Sequence, residues 1–320
     1  MATANAVPKP APAPNRMTLS SITKGRLHKP IRLLLYGVEG VGKSTFGGAA
    51  PRPIFLAAED GTGHLDVERF PAPSSADEAF AAVATLATTD HEFKTFVVDT
   101  VDWLEPLLWA GICKRDGMAD IEAYGYGKGY VAALDEWRRF LAAVERLRAA
   151  KGMNVIFLAH SWIKPFKNPA GEDYDRWEMK LHPKAGGLLK EWSDVVLFAN
   201  HEELAVKDKR TKRVRGVSTG ARLIYTTRTA AYDAKNRYDL PESMPLDWDT
   251  FDAAVGAHRP ADPAALAAEC ARKAKQLGGD IEAKAADAIA KAGGDAVTLA
   301  KINSRLNALL NEREEVEANQ

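Results

Sequence analysis

The sequence predicts an α/β domain, a largely parallel sheet flanked by helices, that carries a small C-terminal helical extension. Three observations predict it. Short uninterrupted apolar runs alternate with segments of helical period, a glycine-rich loop follows the first run, and the composition changes near Arg259. Apolar runs without polar alternation suit strands buried on both faces, and the helices between them supply the cover.

Taken in order, residues 1–16 are Ala/Pro-rich and read as a disordered, semi-extended arm. The core is expected over 17–258. Its strand candidates are 31–36, 54–58, 96–99, 155–159, 195–199 and 223–226. Helical patterns lie at 76–87 and 131–150, the second marked by Leu134, Trp137, Leu141, Val144 and Leu147. The later strands have shorter connections, so that end of the sheet is expected to be antiparallel. From Arg259 to Gln320 there is no aromatic residue. Leu299, Ile302, Leu306, Leu309 and Leu310 form one helical stripe there, and two or three small helices ending in an acidic tip (Glu312, Glu314, Glu315, Glu317) are expected over 262–315.

The bulk numbers set limits. The 320 residues hold 43 Lys plus Arg and 43 Asp plus Glu, so the formal net charge is zero. A balanced chain has no global pull toward nucleic acid or membrane, and a polyanion contact must come from a local patch. Cys113 and Cys270 stand far apart without metal-like spacing and read as reduced thiols of a cytosolic protein. No apolar run reaches the length of a membrane span, and the N-terminus lacks the layout of a secretory signal.

The run Gly37, Val38, Glu39, Gly40, Val41, Gly42, Lys43, Ser44 fits G-x-x-x-x-G-K-[ST], with a strand running into it and a helix beginning at about Lys43. Its glycines let successive backbone N–H groups wrap a phosphate, Lys43 brings a compact positive charge to the outer phosphates, and Ser44 offers a hydroxyl to Mg²⁺. The expected ligands are therefore ATP and Mg²⁺. Three further positions lie at strand ends, where ligands sit in an open α/β sheet. Asp99 ends an apolar strand as a Mg²⁺-holding carboxylate would, or as a helix cap. Glu59 and Asp60 follow the strand at 54–58, and one of them could deprotonate an attacking water. His160 follows the strand at 155–159, where it either senses the γ-phosphate or serves as a hydrogen-bonded structural residue.

With these residues in place, the sequence resembles a RecA-type ATPase. More closely, it is similar to the short phage-encoded AAA-type nucleotide-binding proteins, which include RecA-like single-strand annealing proteins. The RecA-type loop reads G-P-E-S-S-G-K-T-T, and the run from Gly37 to Thr45 shares its Glu at Glu39. The family's catalytic Glu matches Glu59, and its Asp-Ser pair matches Asp99-Thr100. Its sensor position holds His160 here, where RecA-type proteins have Gln. Its Lys-Asn-Lys element, which reaches the neighbouring subunit's ATP, matches Lys235-Asn236-Arg237. The resemblance spans about 17–255 and leaves out the C-terminal helices. It implies a RecA-like P-loop NTPase core, catalysis by Glu59 with Lys43, His160, Lys235 and Arg237, assembly into a ring or filament, action on DNA, and the cytoplasm of a bacterial host.

Two segments are candidates for single-stranded DNA. Lys207, Lys209, Arg210, Lys212, Arg213 and Arg215, with one acid at Asp208, read as a hairpin tip that either binds phosphates or stays a solvated turn. Tyr124, Tyr126, Lys128 and Tyr130, interleaved with glycines, form either a base-stacking loop or a helix entry whose tyrosines pack on the core. Residues 161–180 mix both charges. The functional readings are an ATPase of DNA recombination or annealing, a nucleotide-gated scaffold with little turnover, a packaging or helicase motor, and a phosphotransferase. The tail lacks clustered carboxylates of nuclease type, and no Arg-rich lid marks a kinase.

Overall fold

The computed structural model describes residues 17–19, 22, 29–207, 214–258 and 262–318. The arm predicted over 1–16 lies outside the described residues. Contacts divide the chain into one unit over Lys29–Arg259 and another of Pro260–Gln320 with Met1–His28.

The larger unit begins with β1 (Arg32–Gly37), α1 (Lys43–Gly48), β2 (Pro53–Ala57), β3 (Glu68–Arg69), α2 (Ala76–Thr88), β4 (Thr95–Asp99), α3 (Val101–Asp116) and α4 (Lys128–Lys151). It continues with β5 (Asn154–Phe166), β6 (Tyr174–Met179), α5 (Pro183–Trp192), β7 (Val195–Lys207), β8 (Val214–Tyr225), β9 (Ser243–Pro245) and α6 (Trp248–His258). The sheet order is β3-β2-β4-β5-β1-β7-β8-β9. Pairing is parallel from β3 through β7 and antiparallel at β7–β8 and β8–β9, as the short late connections predict.

Both faces of the sheet are covered, which is why β1 can be apolar at every inner position. Leu34 and Tyr36 face a core built with Trp137, Phe140, Val144 and Leu147 of α4. Leu33 and Leu35 face another built with Phe46 of α1 and Trp248, Phe251 and Val255 of α6. Each large side chain so buried contributes roughly 1.5–3 kcal/mol.

Three elements are longer or less visible than the sequence suggests. β5 and β8 extend well past the apolar runs at 155–159 and 223–226. The outer half of β5 leaves the sheet to pair with β6, Ser161 opposite Met179, and exposes Trp162 and Ile163. The helix α3 carries an internal Pro106 and buries Leu104, Leu108 and Ile112.

In the smaller unit, α7 (Pro263–Leu277), α8 (Gly279–Ala292) and α9 (Ala296–Ala318) follow one another. Asp262 caps α7 by accepting the Ala264 N–H at 3.0 Å. Cys270, Ala274, Ala285 and Leu306 form its core, with Ile302 packed against them and Leu299 also buried. The expected stripe therefore packs within its own unit. Both cysteines are free and buried. Among the described residues no helix is long and apolar enough to cross a membrane.

Candidate nucleotide-binding site

β1 carries the chain to the edge of the sheet between β5 and β7 and delivers the loop there. Gly37 lies so close to β7 that a Cβ on it would stand 2.1 Å from the Ala199 carbonyl oxygen. Gly42 adopts φ 108°, a backbone that side chains rarely tolerate, and turns the chain into α1. Val41 points down into the core. Lys43 is buried, and its ammonium donates to the carbonyls of Gly37 at 3.2 Å and Val38 at 2.9 Å. Burial pulls Lys43 below its ordinary pKa, while Asp102, Asp99 and Glu59 push the other way.

A cleft of about 340 Å³ opens over this loop. Gly40, Gly42, Lys43, Ser44, Thr45, Glu59, Asp99, His160 and Arg222 help to line it. Asp99 is 4% exposed and lies near Ser44, and its Oδ2 is buried with no partner. Burial pushes its carboxyl above the ordinary range, opposed by Ser44 and Lys43. A buried carboxylate oxygen left over beside a serine hydroxyl suits a cation with few protein ligands. Among the described residues, no group of three or more His, Cys, Asp or Glu could hold a metal.

Glu59 lies just past β2, its backbone N–H donating to the Asp99 carbonyl at 3.2 Å. Its side chain lines the cleft, whereas the exposed Asp60 does not. Burial pushes Glu59 above the ordinary carboxylate range, with the facing His160 opposing. His160 Nε2 sits 3.7 Å from Glu59 Oε2. On its other side, Asp102 of α3 holds both the ring Nδ1 and the backbone N–H of His160 at 2.9 Å. Burial would raise Asp102, but His160 through these two bonds and its proximity, together with Thr100, holds the carboxyl below its ordinary range. His160 is thus a tethered ring aimed at Glu59.

A family model for an AAA domain matches residues 29–238, more than half of the chain. The chain belongs to the AAA domain family. The match takes in the AAA domain's loop, the strands bearing Glu59, Asp99 and His160, and the β7–β8 hairpin. It accords with the RecA-like P-loop NTPase core expected from the sequence. Among solved structures, the crystal structure of the RadB recombinase is similar at 14% identity, over 64% of this chain and 90% of that one, with a TM-score of 0.34. No curated protein matches.

Several expected residues of the AAA domain do not line this cleft. Lys235 and Arg237, matched to the element that reaches the neighbouring subunit's ATP, make contacts within their own chain. The Lys235 ammonium donates to the carbonyls of Lys190, Glu191 and Ser193 at 2.9, 3.1 and 2.6 Å, closing the C-terminal end of α5. Arg237 pairs at 2.9 Å with Asp194, which also takes Arg32 at 2.7 Å. Arg32 starts β1, about 16 Å of strand rise from the phosphate loop. Two tyrosines of the glycine-rich loop also make contacts within the chain. Tyr124 donates to Asp116 at 2.7 Å, and Tyr130 bonds Glu122 and stacks on His182 with centroids 4.2 Å apart. Tyr126 alone of the three projects fully. In the basic cluster, β7 and β8 pair as far as Lys207 opposite Val214, and 208–213 lie outside the described residues.

Asp102 and Arg222 are site residues that the sequence reading missed. An acid in the first turn of a helix reads as a favourable charge at its N-terminus, so Asp102 gave no separate signal. Arg222 touches the loop across 180 residues of chain, a separation that no local pattern reports.

Proposed function

We propose that the chain is a Mg²⁺-dependent ATPase that works as an oligomer in DNA recombination or single-strand annealing. The observation that carries the ATPase reading is the line Asp102–His160–Glu59 ending beside the phosphate loop. Loop N–H groups and Lys43 bind the phosphates; the ammonium keeps one N–H beyond those given to Gly37 and Val38. Ser44 and Asp99 would hold Mg²⁺, which supplies charge neutralisation at the outer phosphates. Glu59, its carboxyl pushed above the ordinary range by burial, lines the cleft where it can accept a proton from the attacking water. Asp102 fixes the His160 ring so that Nε2 faces Glu59 and the cleft.

The DNA reading is supported by the motif order and by exposed aromatic rings. Tyr126 stands free, and Trp162 is partly exposed with the Lys164 ammonium 3.9 Å from its ring centroid. Rings of this kind stack on bases without sequence preference. The test is the ATPase rate with and without single-stranded DNA. Stimulation by DNA is expected. Turnover indifferent to DNA would remove the recombination reading, and tight ATP binding with negligible turnover would make the chain a nucleotide-gated scaffold.

A further inference from the structure

Arg222 lies on β8, with its backbone opposite His201 and its carbonyl accepting the Leu246 N–H at 2.9 Å. Its side chain is exposed and lines the cleft over the phosphate loop. Nη1 stands 3.0 Å from the place a Cβ on Gly42 would occupy, so the guanidinium rests against the loop backbone itself. It makes no hydrogen bond or ion pair with the described residues. An arginine has five donors in a fixed fork and no acceptor. Held over a phosphate loop with no partner among the described residues, such a group is ready for an anion.

The sheet order says which part of the anion. β2, β4 and β5, which present Glu59, Asp99 and His160, lie on one side of β1, whereas β7 and β8 lie on the other. The loop leaves β1 between the two sets. A nucleotide whose reacting phosphate sits by Glu59 and His160 extends along the loop toward Gly42, and its inner end comes under Arg222.

We propose that Arg222 binds the inner, α-phosphate end of the nucleotide from within the same chain. It is a binding residue common to ATP and ADP and takes no part in the transfer step. This rests on the ATP reading above.

The test uses the full chain with Arg222→Ala and Arg222→Glu, measuring ATP and ADP affinity and the turnover rate at saturating ATP. Loss of a charge-assisted contact is expected to weaken both nucleotides by about tenfold in the Ala variant. The Glu variant should be weaker still, while turnover at saturation stays within about threefold. The side chain is exposed, so circular dichroism and the melting temperature should match wild type. Unchanged affinity, a loss confined to ATP, or a fall in saturated turnover at unchanged affinity would each overturn the assignment. Lys43→Ala separates the two claims. If wild type binds neither nucleotide, or Lys43→Ala binds both as well as wild type, the ATP reading itself falls.

Discussion

Glu105 shows how one buried carboxyl ties the site's supports to pH. It is 4% exposed on α3, one turn beyond Asp102. Its Oε1 accepts the Trp137 indole N–H at 3.3 Å, and its Oε2 accepts the backbone N–H of His182, which caps α5, at 2.9 Å. Burial pushes its pKa from 4.5 to about 7, with both bonds opposing. The folded state therefore holds this proton more tightly than the unfolded chain. Between pH 4.5 and 7 the unfolded state releases it first, so the contribution to stability falls as pH rises. Glu105→Gln cannot titrate. From pH 5 to 8 the variant should gain on wild type by roughly 2–3 kcal/mol, read from denaturant unfolding of both proteins. Parallel pH profiles would contradict the burial argument.

At the scale of elements, Lys235 separates a structural role from a catalytic one. Its ammonium closes the carbonyl end of α5, where a cation is favourable and the last C=O groups lack helical partners. Lys235→Met should cost about 1–2 kcal/mol of stability, measured by chemical denaturation, and leave ATP turnover of the folded protein unchanged. Turnover lost at unchanged stability would return this residue to the nucleotide.

The same scale shows what the sequence could express. The strands bearing the site were readable because double-faced burial leaves uninterrupted apolar runs, and the phosphate loop because its chemistry is local. The helix α3 was not readable. Its buried Leu104, Leu108 and Ile112 share it with Asp102, Glu105, Pro106 and an exposed Trp103, which blurs the helical period. The hairpin half of β5 was hidden because it leaves the sheet. Lys235 and Arg237 had a motif-like order, but only the fold shows that Asp194 and the end of α5 claim them.

At the scale of the molecule, the family match ends at 238. The unit of α7, α8 and α9 has its own core around Cys270 and Leu306. The zero net charge leaves any grip on DNA to local groups such as Tyr126 and Trp162. Under the proposed function, Lys43 binds the nucleotide and Glu59 activates the water that attacks it. The most direct measurement sets ATP affinity beside the hydrolysis rate for wild type, Lys43→Ala and Glu59→Gln. Lys43→Ala should lose affinity. Glu59→Gln should bind ATP as wild type does and lose most turnover, about 100-fold or more. A Glu59→Gln protein that hydrolyses ATP at the wild-type rate would contradict the account.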